Sequence, residues 1–392
     1  MDDLTWMNEA LDLAKLGQGQ VEPNPMVGCV LVRDRVNIGR GYHQQFGGDH
    51  AEVAAIKDCQ ARGDTPRGAT AYVTLEPCCH HGKTPPCTNA LITAGVNRVV
   101  VAIADPFAKV AGGGLEQLKQ AGIEVCVGIG HEQAEDLIAP YLKRVQTGRP
   151  WVIAKWAMSI DGKIATASGA SQWITNQFSR LASHHLRNRV DAIAAGMGTI
   201  VADDPRLTVR IPPESNADSS SDDPGAKRSS RTKARSHPVR LVFARRRVPD
   251  LKSQLVQTAS DVPTWVIAGS QINAADLARL ADHQVETWQA STDDAVEMVT
   301  EALTMLGGDE NPSRIPMTNV MVEGGGVLLG SFASAGQIDE IHAFIGAKLI
   351  GGARAAGPVA GEGVSAVPDD GQWRLIESTA YADDTCLVYR RR

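Results

Sequence analysis

One histidine and two cysteines between residues 50 and 87 constrain this chain more than any other feature. His50 is followed by Ala51 and Glu52, whereas Cys78 and Cys87 lie far along the chain. One imidazole and two thiolates supply three ligands for zinc and leave a fourth position for water. The chain therefore has to fold so that distant segments bring these side chains to one point. Glu52 is not needed as a ligand, so it is free to move protons.

The order of these residues is typical of zinc deaminases, in which H-x-E is followed by P-C-x-x-C. Pro77 precedes Cys78 as in that signature, but the second cysteine lies nine residues after the first. A longer loop is compatible with zinc, because the metal fixes only the positions of the ligand atoms. Gly82, Pro85 and Pro86 provide the turn residues that such a loop requires.

The expected chemistry is hydrolytic removal of an amino group. Zinc lowers the pKa of a bound water towards about 7. We expect Glu52 to take the proton of that water and to pass it to the ring nitrogen and the leaving amine.

A structural zinc site is the main alternative interpretation. Its fourth ligand would be Cys79, His80 or His81, but a structural site has no use for Glu52. Within the catalytic interpretation, Cys78 is favoured over Cys79 because it directly follows a proline. His80 and His81 are then loop residues that could contact a substrate.

The composition limits the class of protein. A length of 392 residues predicts two or three domains. The net charge of −6 argues against a dedicated nucleic-acid binder, which usually has a basic face. No apolar run approaches the roughly 18 residues of a membrane span, and the acidic start is not typical of a signal peptide. Four of the seven cysteines lie beside apolar residues, which favours a reducing, cytoplasmic compartment over a disulfide framework.

The first half alternates helices and strands, which predicts a βαβ-type domain with a largely parallel sheet. Asp49 is the expected N-cap of a helix over 50–61, so that His50 and Glu52 lie in its first turn. Cys87 is expected at the start of a helix over 88–94. The sequence predicts domains over 1–147 and 148–392.

The second half is also predicted to be α/β, with an antiparallel edge formed by strands near 338–346, 373–379 and 385–390. A strand over 319–322 is followed by glycines that open a helix at Val327, an arrangement that can hold an anion on backbone N–H groups. Residues 211–237 are rich in serine and charged residues and poor in large apolar ones, so we predict a disordered surface insertion.

The motifs of both halves together resemble the bacterial bifunctional riboflavin-biosynthesis deaminase–reductase, over nearly the whole chain. The long cysteine spacing is the most specific of them. The motifs that carry the resemblance are Pro23-Asn24-Pro25, His50-Ala51-Glu52, Thr74-Leu75-Glu76-Pro77-Cys78, His80 to Cys87, Ser159-Ile160-Asp161-Gly162-Lys163, Ser171-Gln172-Trp173-Ile174, Ala202 to Arg210, and Glu323-Gly324-Gly325.

The resemblance implies a cytidine-deaminase-like first domain and a dihydrofolate-reductase-like second domain. The first would deaminate 2,5-diamino-6-(5-phosphoribosylamino)pyrimidin-4-one with zinc. The second would use NADPH to reduce the ribosyl group of the product, 5-amino-6-(5-phosphoribosylamino)uracil, to ribityl. It also implies a small-molecule substrate, no nucleic-acid or membrane partner, and a homo-oligomer, either a dimer or a tetramer.

The same resemblance assigns roles to particular residues. His50, Cys78 and Cys87 become the zinc ligands, and Glu52 the proton shuttle. Lys155 and Asp203 become polar groups near hydride transfer. Deaminase substrate contacts are carried over to Asn24, His43, Lys83 and Asp105. Reductase substrate contacts are carried over to Ser171, Arg187, Leu207, Arg210 and Glu323. Cofactor contacts are carried over to Ala157, Trp173, Thr199, Asp203, Gly325, Gly326, Val327 and Leu328.

Several of these residues have an ordinary structural alternative. Trp173 could be a core residue, and Arg187 a solvated charge on a helix. The strand at 239–243 usually ends in an aspartate in the family but continues here into Ala244-Arg245-Arg246-Arg247. By analogy with dinucleotide-binding enzymes, Arg245 or Arg246 could accept the 2′-phosphate of NADPH. A solvated basic turn is the alternative.

Two rival functions also remain open from the sequence. One is a zinc deaminase of another nucleotide or of RNA, with an accessory domain. The other is a non-catalytic, zinc-stabilised binding protein. Neither requires a dinucleotide, so NADPH binding by the second half would argue against both.

Overall fold

The computed structural model describes residues 2–80, 85–107, 110–212, 237–308 and 314–392. The chain divides into two compact units. The first contains Met1–Arg149 and Gly308–Thr318, and the second contains Pro150–Gly307 and Asn319–Arg392. The inclusion of Gly308–Thr318 in the first unit was not expected from the sequence. Within the described ranges, no helix is long and apolar enough to cross a membrane.

The first unit is built on a five-stranded sheet with the order β2-β1-β3-β4-β5. Helices pack on both of its faces. The strands are β1 Gly28–Arg33, β2 Val36–Tyr42, β3 Thr70–Val73, β4 Arg98–Val101 and β5 Glu124–Val127. The helices are α1 Asp3–Lys15, α2 Ala51–Ala61, α3 Cys87–Ala94, α4 Gly113–Gln120 and α5 His131–Thr147.

The prediction of a largely parallel sheet is wrong for this unit. Strand β1 pairs antiparallel with both β2 and β3, and only the β3–β4 and β4–β5 pairs are parallel. The antiparallel β1–β2 pair arises from a tight turn at Asp34 and Arg35, which both have positive φ, at 53° and 62°. Such a two-residue turn joins β1 and β2 as a hairpin and reverses the direction of the chain.

Alternate residues of β1 face opposite layers of the unit, as the period of two of a strand requires. Val30 and Val32 belong to the core that contains α1 and α5. Cys29 and Leu31 belong to the core that contains α2 and α3. Because both faces are covered by helices, the strand is apolar throughout, and this explains the absence of an alternating pattern in its sequence.

The position of α2 depends on two glycines in β2. A Cβ atom at Gly41 would lie 2.3 Å from the backbone nitrogen of Ala55, and one at Gly39 would lie 2.6 Å from the Ala55 carbonyl oxygen. Glycine therefore allows α2 to lie directly against the strand. This contact fixes the N-terminus of α2, where His50 and Glu52 are located.

The predicted N-cap of α2 is wrong. His50 itself is the N-cap, and its side chain makes no capping hydrogen bond. The Asp49 carboxylate instead forms a 2.5 Å ion pair with Lys57, and the Asp49 carbonyl contacts His43. The side chain of a cap residue normally bonds to the helix backbone, whereas the His50 ring is directed at two cysteine sulfurs.

The second unit is built on a nine-stranded sheet with the order β10-β9-β8-β7-β11-β6-β12-β14-β13. Its strands are β6 Trp151–Ser159, β7 Ala192–Gly196, β8 Val239–Ala244, β9 Thr264–Ala268, β10 Glu286–Gln289, β11 Asn319–Gly324, β12 Glu340–Gly346, β13 Trp373–Tyr381 and β14 Asp384–Arg391. Its helices are α6 Gln177–Asn188, α7 Met197–Asp203, α8 Gln254–Gln257, α9 Ala274–Ala281, α10 Ala295–Gly307 and α11 Gly326–Ser334.

Strands β6 to β12 of this sheet are all parallel, and β12, β14 and β13 form the predicted antiparallel edge. The α/β class expected for both halves is thus confirmed. Two short elements were missed, namely α8 and the edge strand β10. The predicted disorder of 211–237 concerns mostly residues 213–236, which lie outside the described residues.

The carboxyl ends of β8, β7 and β11 lie side by side in the sheet. Strand β7 ends at Gly196 and β11 at Gly324, and each is followed directly by a helix. In open parallel sheets this edge is where ligands bind, because helix N-termini and loops converge there.

Candidate active sites

Three ligand atoms meet where α2 and α3 begin. The Nδ1 atom of His50 lies 3.6 Å from the sulfur of Cys78 and 3.2 Å from that of Cys87. His50 caps α2, Cys87 is the first residue of α3, and Cys78 lies in the segment after β3. The two helix N-termini thus face one point, as the sequence predicted.

This group fits zinc. The three ligand atoms all lie within 4.8 Å of one another. Ligands at about 2.3 Å for sulfur and 2.1 Å for nitrogen around a tetrahedral ion are separated by roughly 3.6 Å. The measured separations are close to that value. Cys79 is not part of the group, because its sulfur points towards the Val110 carbonyl, 4.0 Å away.

The pKa values of the Cys78 and Cys87 thiols are shifted in opposite directions. Hydrogen bonds from the Cys87 thiol, from His50 and from the Cys87 backbone N–H lower the pKa of the Cys78 thiol to about 4. The hydrogen bond to Cys78, together with burial, raises the pKa of the Cys87 thiol. These contacts favour the thiolate form of Cys78, and it is the thiolate that binds metals. Binding of a dication to both sulfurs would deprotonate the second thiol as well.

Glu52 lies in the first turn of α2 and is 3% exposed. Burial raises the pKa of its carboxyl group, and the nearby His50 opposes this shift. A carboxyl group whose pKa is raised towards neutrality can both accept and return a proton. Glu52 is not one of the three metal ligands, so its carboxyl group is available for proton transfer.

Two of the three ligands, His50 and Cys78, line a cavity of about 340 Å³ together with Glu52. Asn24, His43 and Asp105, three of the four predicted substrate contacts, line it. The fourth, Lys83, lies outside the described residues. The remaining lining residues include side chains that the sequence did not single out, among them Phe46, Phe107, Val110, Tyr141 and Arg144.

Hydrogen bonding fixes the orientation of His43 and Asn24. The Nδ1 atom of His43 lies 2.8 Å from the Asp49 carbonyl, which can only accept, so Nδ1 carries the proton. The Nε2 atom therefore accepts a hydrogen bond from the Asn24 amide nitrogen, 3.1 Å away. Burial lowers the pKa of His43, which keeps the ring neutral and preserves this arrangement. The Asn24 amide oxygen is then the atom not used by His43.

Asp105 lies at another part of the cavity wall. Its carboxylate accepts hydrogen bonds from the Tyr141 hydroxyl at 3.0 Å and from the Phe107 backbone N–H at 2.9 Å. Burial raises the pKa of Asp105 despite these contacts. Tyr141 comes from α5, far along the chain, and no local motif marks it. Its position can be known only once α5 is packed on the sheet.

The second unit contains a cavity of about 470 Å³ at the carboxyl ends of β7, β8 and β11. Six of the eight predicted cofactor residues line it, namely Thr199, Asp203, Gly325, Gly326, Val327 and Leu328. Ser171, predicted as a substrate contact, also lines it, and so do Phe243 and the three arginines Arg245, Arg246 and Arg247.

The glycines after β11 form a close junction with α7. The Gly325 N–H donates a 2.7 Å hydrogen bond to the Thr199 hydroxyl, and a Cβ atom at Gly325 would lie 3.1 Å from the same oxygen. Gly324 has a φ of 154°, which other residues rarely adopt. The expected glycine cradle at the start of a helix is therefore present at this cavity.

The other two predicted cofactor residues are not among those lining this cavity. Ala157 lies in β6 opposite Phe344 of β12. Trp173 is 60% exposed, so the alternative of a core tryptophan is wrong. The guanidinium carbon of Arg180 lies 4.6 Å from the centre of the Trp173 ring.

Arg187 and Glu323 form a buried ion pair. Arg187 Nε lies 2.5 Å from Glu323 Oε1, a second guanidinium nitrogen contacts Oε2, and Nη1 donates to the Thr208 carbonyl at 2.9 Å. The side chains are 13% and 8% exposed, so the alternative of a solvated arginine is wrong. Burial alone would raise the pKa of Glu323, but Arg187 and Lys155 lower it to about 2.

Two further basic groups lie close to this pair. Burial lowers the pKa of Lys155, and the charge of Glu323 opposes the shift. Burial, together with the charges of Arg187 and Arg210, lowers the pKa of His184 to about 4. His184 was not predicted, and only its position three residues before Arg187 on α6 indicates it.

The predicted residues Leu207 and Arg210 belong to the loop after α7. Leu207 is buried with a positive φ of 47°, which turns the chain back towards α6. The Arg210 N–H lies 3.2 Å from His184 Nδ1, and its side chain donates to the Thr208 hydroxyl at 3.0 Å. Arg210 is exposed, so its guanidinium group is accessible to a ligand.

Comparison with protein families decides between the remaining functions. Residues 1–103 match the cytidine and deoxycytidylate deaminase zinc-binding region, and residues 150–387 match the RibD C-terminal domain. The chain is 37% identical to the riboflavin biosynthesis protein RibD of Escherichia coli, over 99% of both chains.

This chain belongs to the RibD family.

Other members of the RibD family agree in sequence and in structure. The RibD protein of Actinobacillus pleuropneumoniae is 36% identical over 99% of this chain and 95% of that protein. The structure of a diaminohydroxyphosphoribosylaminopyrimidine deaminase/5-amino-6-(5-phosphoribosylamino)uracil reductase from Thermotoga maritima has a TM-score of 0.80 at 32% identity, covering 100% of this chain and 99% of that one. RibD from Acinetobacter baumannii also has a TM-score of 0.80, at 34% identity and the same coverage.

As a RibD protein, the chain is a bifunctional enzyme of riboflavin biosynthesis with a zinc-binding deaminase region and a reductase domain. The predicted family, enzyme class and cofactors, zinc and NADPH, are confirmed at this level. Family membership argues against a non-catalytic zinc-stabilised binding protein.

The geometry of the cluster predicts which cysteines hold zinc. Cys78→Ser and Cys87→Ser should each lose most of the bound zinc, because each removes a thiolate from the three-atom group. Cys79→Ser should keep it, because the Cys79 sulfur points away. Metal analysis of the purified variants measures this. Normal zinc in Cys78→Ser together with loss in Cys79→Ser would contradict the assignment.

Proposed function

We propose that the first unit deaminates 2,5-diamino-6-(5-phosphoribosylamino)pyrimidin-4-one, with His50, Cys78 and Cys87 as the zinc ligands and Glu52 as the proton shuttle. The observation that carries this proposal is the buried Glu52 carboxyl, which lies beside the three ligand residues and lines one cavity with His50 and Cys78. The substrate class is supported by the names of the relatives, one of which is such a deaminase.

The residues of this chain divide the work of deamination. His50, Cys78 and Cys87 would hold zinc, which would lower the pKa of a water to about 7 and supply a Lewis acid. Glu52 would accept one proton from that water and deliver it to the ring nitrogen. It would then carry the second proton of the water, released as the carbonyl forms, to the amine that leaves as ammonia. The Asn24 amide oxygen, which does not bond to His43, is suited to accept a hydrogen bond from the pyrimidine. Asp105 and Lys83 remain proposed substrate contacts.

We further propose that the second unit reduces 5-amino-6-(5-phosphoribosylamino)uracil, with NADPH in the cavity at the carboxyl ends of β7, β8 and β11. NADPH supplies the hydride when bound. Gly325, Gly326 and Thr199 line the cavity where α11 begins, and a helix N-terminus suits a pyrophosphate. Gly326, Val327, Leu328 and Asp203 lie along the same wall. Ala157 and Trp173 remain proposed cofactor contacts outside that wall.

The ribotide is proposed to bind beside the Arg187–Glu323 pair. Glu323 directly precedes the glycines of the cofactor cavity, so the two sites are continuous in sequence. The exposed guanidinium group of Arg210 suits the sugar phosphate, since arginine offers a bidentate fork. The charges of Glu323 and Arg187 act on the pKa of Lys155. We propose that Lys155 orients the sugar where it is reduced. Ser171 and Leu207 complete the proposed substrate residues.

We also propose a cytoplasmic homo-oligomer. None of the seven cysteines forms a disulfide, which suits a reducing compartment. The oligomeric state, a dimer or a tetramer, rests on the family resemblance alone. Light scattering on the purified chain would measure it.

Glu52→Gln is predicted to abolish deamination while zinc is retained. The amide cannot accept a proton, and general acid–base catalysis typically contributes about 10²- to 10⁴-fold to the rate. The deamination rate should fall by that factor, measured by ammonia release. NADPH oxidation with the deaminated ribotide should be unchanged and serves as the internal control. A normal deamination rate would remove Glu52 from the proposed role.

Arg245→Ala or Arg246→Ala is predicted to weaken NADPH binding selectively. Both arginines line the cavity, and a charge-assisted hydrogen bond to the 2′-phosphate contributes about 1.5–3 kcal/mol. Its loss should raise the Kd for NADPH roughly ten- to hundredfold and leave the Kd for NADH nearly unchanged. Titration of both cofactors into both variants measures this. Equal losses for the two cofactors, or no loss in either variant, would leave only the solvated basic turn.

A further inference from the structure

The Glu76 carboxylate makes hydrogen bonds that play no part in the proposed deamination chemistry. Its side chain is 4% exposed. One carboxylate oxygen accepts hydrogen bonds from the backbone N–H groups of Asp105 and Gly112, both at 3.1 Å. The other accepts from Gly114 at 2.9 Å and from Leu115 at 3.3 Å. One buried carboxylate thus binds four backbone donors.

These donors lie on both sides of one loop. We define the Asp105 loop as residues 105–107 and 110–112, the described residues from Asp105 to the N-cap of α4. Asp105 begins the loop and Gly112 ends it as the N-cap of α4. Glu76 therefore joins the two ends of the loop and also caps the first turn of α4. Negative charge at a helix N-terminus is favourable, so the Glu76 carboxylate is stabilised both by its hydrogen bonds and by the dipole of α4.

The glycines that follow the loop fit the same contact. Gly112 has a φ of 81°, in the left-handed region. A Cβ atom at Gly113 would lie 3.0 Å from the Cys79 sulfur, and one at Gly114 would lie 2.1 Å from the Pro77 carbonyl oxygen. Gly113 and Gly114 thus allow α4 to approach the 76–79 segment closely enough for Glu76 to reach its N–H groups.

The Asp105 loop forms part of the deaminase cavity. Asp105, Phe107 and Val110 all line it. The Phe107 ring lies 6.2 Å from the His80 ring, centre to centre, and Asp105 is held by the Tyr141 hydroxyl. The loop therefore supplies one wall of the space in which a substrate ring and its substituents would lie.

We propose that Glu76 is a positioning residue for deamination, which holds the Asp105 loop in its substrate-binding conformation. Glu76 lies two residues before Cys78, so one short segment after β3 places both a zinc ligand and the anchor of this wall. The inference rests on the proposed deaminase function. A role limited to the stability of α4 is the competing explanation, and it predicts no specific change in substrate binding.

Glu76→Gln tests this directly. The variant keeps the size of the side chain, but one of its two oxygens becomes an NH₂ group that cannot accept from the backbone donors. We expect kcat/KM for deamination to fall roughly ten- to hundredfold, mainly through a higher KM for the diaminopyrimidine ribotide. Zinc content and NADPH-dependent reduction of the deaminated ribotide should be unchanged.

Hydrogen exchange provides a readout that does not depend on activity. In Glu76→Gln, the amides of Asp105, Gly112, Gly114 and Leu115 should exchange faster, and those of α5 should not. The matched control is Glu116→Gln on the first turn of the same helix. Its exposed carboxylate contacts only Gln120 among the hydrogen bonds described, at 3.0 Å, so KM and exchange should remain as in the wild type.

A second pair of variants covers the case in which Glu76→Gln does not fold. Gly112→Ala strains the end of the loop without a clash, because the space around the added Cβ is open. Gly128→Ala introduces the same kind of strain, at a φ of 108° and in open space, outside the loop. We expect Gly112→Ala to raise the KM for the diaminopyrimidine ribotide and Gly128→Ala to leave it unchanged.

The outcomes separate this inference from the proposed function. Absence of deamination by the wild-type protein would contradict the proposed function itself. Normal wild-type deamination, with an unchanged KM in both Glu76→Gln and Gly112→Ala, would overturn the role of Glu76. So would faster exchange in the loop without any change in KM.

Discussion

The close approach of α2 to strand β2 is the constraint on which the first unit depends. Gly39 and Gly41 remove the side chains that would hold the helix away, so its N-terminus is fixed relative to the sheet. His50 and Glu52 are placed by that terminus, one as a ligand and the other as a buried acid. The cysteines then need only to come from the end of β3 and the start of α3 to complete the group.

In the second unit, strands β7 and β11 end in glycines, and each leads into a helix at the cavity. Beside it, Arg187 and Glu323 are buried together, and neither charge would be tolerated there without the other.

The sequence predicted the parts that depend on residue chemistry. The ligand set, Glu52 and the glycines after β11 were all found from residue types and their spacing, and the structure brings each set together. Other features depend on tertiary packing and could not be predicted. Tyr141 reaches Asp105 only because α5 packs on the sheet, and the edge strand β10 is too short to give a periodic signal.

The errors have similar causes. Asp49 has the residue type of a helix cap, but its carboxylate is used by Lys57 and the helix begins one residue later. The expected parallel sheet overlooked a two-residue turn, because Asp34-Arg35 lacks the glycine that usually marks such turns. For Asp49, a contact outside the helix backbone determined the structure. For Asp34-Arg35, the turn forms without the residue that usually marks it.

Mass spectrometry on one reaction tests the central claim most directly. The purified chain is incubated with the diaminopyrimidine ribotide, first alone and then with NADPH. We predict that the substrate alone exchanges one amino group for oxygen, and that the product gains two hydrogens only after NADPH is added. A protein with bound zinc that leaves the ribotide unchanged, or that reduces it without prior loss of ammonia, would contradict the account.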